Sequence, residues 1–193
     1  MYSGLVYIGI AVVVASLHMI APDHWLPLTA LSVKRGYGRR RIIGISALLG
    51  FLHGSTSVLL ALAALYLGVD VLGINSLKEF SIALLAAVAL YIIVNSIRER
   101  KRNEKVENVS LLVSILPDPV LLPVVIASFH YGFPEIASLG ISFVAATIIS
   151  LVLVLEVAMA GAARTLSRVR PSTVDYFVVI ALVLTAFYIL LFG

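Results

Sequence analysis

The sequence predicts an all-α, polytopic membrane protein: six transmembrane helices forming two inverted three-helix repeats, with the first and fourth helices broken. Three observations predict it. Hydrophobic residues make up 61% of the 193 positions, with a mean hydropathy of +1.10, beyond the apolar share of soluble domains. Charge-free apolar runs long enough to span a bilayer recur along the chain. Related Pro-Asp pairs stand about half a chain length apart, at Pro22-Asp23 and Pro117-Asp118.

The spans are expected at about residues 4–32, 41–67, 78–97, 108–131, 134–161 and 174–192. The first is long enough to hold a break. No Lys or Arg precedes it, so it lacks the charged start of a signal peptide and is read as a retained span. The second is charge-free from Ile42 to Val69 and carries His53 near its middle. The third begins at Lys78-Glu79 and ends in the basic run from Arg98 to Lys105. Pro117-Asp118-Pro119 interrupts the fourth, and the fifth keeps Glu156 near its end.

Orientation follows from the cations. The odd-numbered connections hold thirteen of the fourteen Lys and Arg residues, and the even-numbered ones hold only Lys78. The positive-inside rule makes the odd connections cytoplasmic and both termini extracytoplasmic, in a multi-pass protein of the plasma membrane. That asymmetry accounts for the net charge of +4 without any nucleic-acid partner. The absence of cysteine excludes disulfides and thiolate ligands.

The whole chain reads as one membrane domain, residues 1–193, with repeat one at 4–97 and repeat two at 108–192. Matches share an offset of 95–96: Pro22-Asp23 with Pro117-Asp118, and Gly44-Ile-Ser46 with Gly140-Ile-Ser142. Three spans per repeat is an odd number, so the halves must insert with opposite topology. Helix breaks are expected at Pro22 and Pro27 in the first half and at Pro117 and Pro119 in the second.

The chemistry concentrates between His18 and Pro27. Asp23 lies in an apolar run, where a carboxylate costs roughly 2.5–3.5 kcal/mol on insertion scales and needs a partner or a purpose. On a straight helix His18 and His24 would point about 240° apart; a break at Pro22 lets them converge. Two imidazoles and a carboxylate around an opened backbone form a candidate site for a divalent transition metal. His53 is either a further ligand or an interhelical hydrogen-bonding group. Asp118 has three readings: a second-half metal ligand, a proton-coupling carboxylate, or a cap on the broken helix. Glu156 is a coupling group or a side chain reaching the cytoplasmic surface. His130 and Glu135 flank the outer turn. Ser57 reads as helix glue, without a part in binding.

The arrangement His18, four residues, then Asp23-His24 resembles the signature of the nickel/cobalt transporter families. With Pro22 before Asp23-His24-Trp25, it is similar to their compact six-span branch, which includes urease-accessory-type membrane proteins. Histidine-bearing second spans, like that with His53, also occur there. The overall pattern resembles the lysine-exporter superfamily and the six-span thiol transporters of cytochrome biogenesis, with Asp23 and Asp118 standing where the latter carry cysteine. The resemblance implies a secondary transporter, not an enzyme, that moves Ni²⁺ or Co²⁺ across the membrane. The metal is then the substrate, with no prosthetic group; the bilayer is the other partner, and a homo-oligomer is compatible with the sequence. Imidazoles that protonate near neutral pH suit a site that must also release its ion. Two alternatives stand beside this: a small-organic-solute exporter with structural histidines, and an intramembrane zinc hydrolase.

Overall fold

The computed structural model describes residues 2–72, 76–102, 118, 120–162 and 171–192, and for residues 2, 3, 22, 23, 69–72, 77, 78, 95, 96, 98–102, 162, 171–175 and 192 the backbone alone. The breaks expected at Pro117 and Pro119 lie outside these residues, as does most of the stretch 108–119. Every element among the described residues is helical. In chain order they are α1 (Tyr2–Ile20), α2 (Pro22–Arg35), α3 (Arg39–Leu72), α4 (Leu77–Arg102) and α5 (Leu121–Ala127). A 3-10 turn (Ser128–Tyr131), α6 (Phe133–Val157), a π segment (Ala158–Ala162) and α7 (Pro171–Phe192) follow.

Two stretches, Arg39–Gly68 and Phe133–Gly161, are each long and apolar enough to cross a membrane. Gly4–Ile20 and His24–Arg35 make a third candidate if the pair, bent by 45°, is one span. Glu79–Val94, Leu121–Tyr131 and Tyr176–Leu191 are shorter apolar helices.

The bend between α1 and α2 follows from Pro22. With no N–H to donate, proline cannot continue α1, but at the first position of a new helix its missing donor is harmless and its fixed φ is suitable. Freed carbonyls at the end of α1 find new donors. Ala21 N–H bonds the His18 carbonyl at 3.1 Å, and the Trp25 indole N–H bonds the Ile20 carbonyl at 3.0 Å. Pro27 corrects the expectation of a second break, because α2 runs through it to Arg35. Proline there removes one intrahelical donor, a loss that a helix supported by its neighbours tolerates. Gly36, at φ +60°, ends α2 in the left-handed conformation.

Helices α3 and α6 approach closely. A Cβ on Gly50 would lie 2.8 Å from Ile148 Cα, and one on Gly54 would lie 3.0 Å from Val144 Cα. Only glycine leaves room for backbones this close, as in other small-xxx-small pairs. Thr147 Oγ1 donates across the gap to the Gly50 carbonyl at 3.1 Å. Farther along α3, Val58 faces Gly140. Positions rise along α3 as they fall along α6, so the two helices are antiparallel. By contrast α1 runs parallel to α6, with Gly4 beside Glu135 and Ser16 accepting a hydrogen bond from Ser150.

Around this pair, α1 packs on α6 and α7, α5 packs on α3 and α4, and α4 packs on α7. Consecutive helices α3 and α4 touch only slightly. One core cluster joins Tyr7, Leu85, Leu121, Phe143 and Leu182. A smaller one gathers Met19, Trp25, Leu28, Leu151 and Leu155 beside the bend, so Trp25 is a packing residue that also caps α1.

Candidate metal centre

Three helices and Asp118 converge beside the bend. The last turn of α1 supplies His18, the first turn of α2 supplies His24, mid-α3 supplies His53, and Asp118 lies ahead of α5. The bend brings His18 Nε2 and His24 Nε2 to 3.0 Å. Two nitrogens bound to one ion at 2.0–2.1 Å lie about 2.9 Å apart at a right angle and about 3.3 Å apart in a tetrahedron. The observed spacing therefore suits joint ligation as well as a hydrogen bond. His53 completes a triangle of rings, with centroids 5.5 Å from His18 and 5.2 Å from His24.

The second half of the chain contributes Asp118. Its Oδ2 lies 3.9 Å from His18 Nδ1, the ring nitrogen opposite the one that faces His24; one imidazole gives an ion one nitrogen, so His18 shares a given ion with either His24 or Asp118. One ligand atom each from His18, His53 and Asp118 falls within 4.8 Å of the others, the loose spacing of a candidate ion-binding set. His18 faces His24 with one ring nitrogen and Asp118 with the other. It is the hub of the cluster. Its side chain is 27% exposed, whereas His24, His53 and Asp118 are buried, so His18 is also the accessible edge.

Asp118 is held firmly. Its backbone N–H donates to Ser57 Oγ at 2.8 Å, and its Oδ1 accepts the Val120 N–H at 2.9 Å. Ser57 donates in turn to the His53 carbonyl at 2.8 Å. Asp118 Oδ2 accepts no hydrogen bond among the described residues. Imidazoles beside a carboxylate oxygen, in a cluster buried except at His18, match the preferences of Ni²⁺, Co²⁺, Cu²⁺ and Zn²⁺ over those of Mg²⁺ or Ca²⁺.

Other expected site residues lie elsewhere. The side chain of Asp23 is outside the described residues; its backbone belongs to the first turn of α2. Glu156 accepts a hydrogen bond from Arg39 at 2.7 Å, an ion pair joining the start of α3 to the end of α6, and it is not part of the cluster. His130 lies in the 3-10 turn, and Glu135 lines a cavity of about 370 Å³ with Gly4, Tyr131 and Ser138. Ser57, read from sequence as helix glue, ties α3 to Asp118. No local signal announces that, because the contact spans 61 positions. Comparison with protein-family models, with curated proteins and with solved structures gives no match.

Proposed function

We propose that the chain is a membrane transporter of a divalent transition metal ion, Ni²⁺ or Co²⁺, formed by six spans in two inverted repeats. The observation that carries this is the convergence of His18, His24 and His53 with Asp118, whose Oδ2 accepts no hydrogen bond among the described residues. Four such groups in an apolar interior are expensive without a task, and their donor atoms suit these ions. The resemblance of His18, Asp23 and His24 to the nickel/cobalt transporter signature points the same way.

Helix packing supports the repeat. Exchanging α1 with α5, α3 with α6 and α4 with α7 turns the α1–α6 contact into α5–α3 and the α1–α7 contact into α5–α4. The α3–α6 and α4–α7 contacts map onto themselves. All of these contacts occur. An axis in the membrane plane also requires α3 and α6 to be antiparallel, as the glycine contacts make them. Where such helices cross the axis, a residue meets its own repeat mate. Gly50 and Thr147, 97 positions apart, touch at the crossing, close to the offset of 95–96 read from sequence.

In this mechanism the first half supplies the imidazoles and the second half supplies the carboxylate. Rocking one repeat against the other opens access to one side and separates Asp118 from His18, weakening the site as it is exposed. Neutral imidazoles hold the ion without the irreversible grip of thiolates, and protons compete for them. Both termini are extracytoplasmic, as the cation asymmetry requires.

Titration of the purified protein with Ni²⁺, Co²⁺ and Zn²⁺ tests the site. Saturable binding of one ion per chain is expected, and uptake into proteoliposomes should follow. Failure to bind any of them would overturn the proposal in favour of an organic-solute exporter. A reporter fused to the C-terminus should read extracytoplasmic; a cytoplasmic signal would overturn the topology.

A further inference from the structure

Pro117-Asp118-Pro119 contains a single backbone N–H, that of Asp118, because proline has none. That one donor goes to Ser57 Oγ, on a helix of the other half. Ser57 is fully buried, and its own proton is committed to the His53 carbonyl one turn back. The hydroxyl is thus oriented to receive the Asp118 N–H. With Oδ1 held by Val120 N–H, the remaining oxygen, Oδ2, is the one left facing His18.

We propose that Ser57 is a positioning residue for the cation site: it clasps the Asp118 backbone to α3 and so holds the Asp118 carboxylate against His18. His53 and Ser57 are four residues apart on α3 and therefore share a face. One turn of α3 presents an imidazole to the ion and anchors the carboxylate contributed by the opposite half. A small rotation of α3 would move both together. The inference rests on the metal-binding proposal above and adds a residue that touches no ion. Groups that orient metal ligands typically influence affinity by about ten- to a hundredfold.

The test is a double-mutant cycle read with Co²⁺, whose visible absorption reports ligand number and geometry. S57A should weaken Co²⁺ binding about tenfold or more and alter the absorption, while S57T, which keeps the hydroxyl, should retain binding. In the D118N background, the backbone N–H and its bond to Ser57 remain, so a merely structural loss would persist. A positioning role predicts instead that adding S57A changes affinity by less than about twofold, because the carboxylate it orients is gone. Equal losses in both backgrounds, or an S57A protein with unchanged affinity and absorption, would overturn the proposal.

A metal-free measurement separates this from the wider reading. Selective ¹⁵N-aspartate labelling gives one backbone signal for each of the four aspartates. The Asp118 amide should exchange slowly in wild type and S57T, and quickly in S57A. Rapid exchange in wild type would refute the clasp even if S57A fails to accumulate. A wild-type protein with a protected Asp118 amide but no Co²⁺ binding would overturn the metal reading, and the positioning role with it, while leaving the clasp in place.

Discussion

At the bend between α1 and α2 the chain delivers two imidazoles, and ahead of α5 it delivers one carboxylate. The first needs only local devices. Pro22 starts a new helix, Trp25 caps the old one three residues later in sequence, and His18 and His24 meet at 3.0 Å. The second depends on a distant helix, because Asp118 is fixed through Ser57, 61 positions away. Charge explains the contrast. A neutral ring can sit in an apolar interior at modest cost, whereas a carboxylate there must be held by donors and matched to a cation or proton. A third acidic group, Glu156, meets the same need at the exposed rim with Arg39, where solvent and a full counter-charge leave no demand for an ion.

The comparison can be broken most severely at its hub. His18→Ala removes the ring that faces both His24 and Asp118, so Co²⁺ affinity should fall by at least about a hundredfold. Far-UV circular dichroism should be unchanged, since the helices that carry the cluster are held by packing elsewhere. Unchanged affinity would remove His18 from the site.

Next comes the carboxylate. Asp118→Asn keeps the backbone bond to Ser57 and the acceptor for Val120, and should weaken Co²⁺ binding by about ten- to a hundredfold. Asp23→Asn, measured beside it, sharpens the contrast between the two breaks. A greater loss at Asp23 would move the negative ligand to the α1–α2 bend.

Pro22→Ala attacks the bend itself. Restoring an N–H at this position lets α1 run on into α2 and swings His18 and His24 towards the roughly 240° separation of a straight helix. Affinity should drop about tenfold, with helicity retained or raised. Wild-type affinity in this variant would mean that neighbouring helices, and not the proline, impose the bend.

The smallest effect is expected at the rim. Arg39 is 80% exposed, and exposed ion pairs contribute about 0–1 kcal/mol. Arg39→Ala should leave Co²⁺ affinity within about twofold and barely shift the melting temperature. A large loss of binding would tie Glu156 to the site after all.

The sequence by itself determined the helical class, the apolar stretches at α3 and α6, and the bend at Pro22. These depend on composition, on run length and on the missing proton of one proline, all of them local properties. It also brought His18 and His24 within reach of each other, because six residues across a bend cannot separate far. It overread Pro27, since a single proline withdraws one hydrogen bond and the packing around α2 compensates. Only the tertiary structure decided that His53 completes the triangle, that Glu156 pairs with Arg39, and that Asp118 arrives with Oδ2 facing His18. Those outcomes depend on the glycine-spaced contact of α3 with α6 and on the Ser57 clasp. Both are contacts between residues far apart in the chain, where propensity and periodicity carry no information about which side chains will meet.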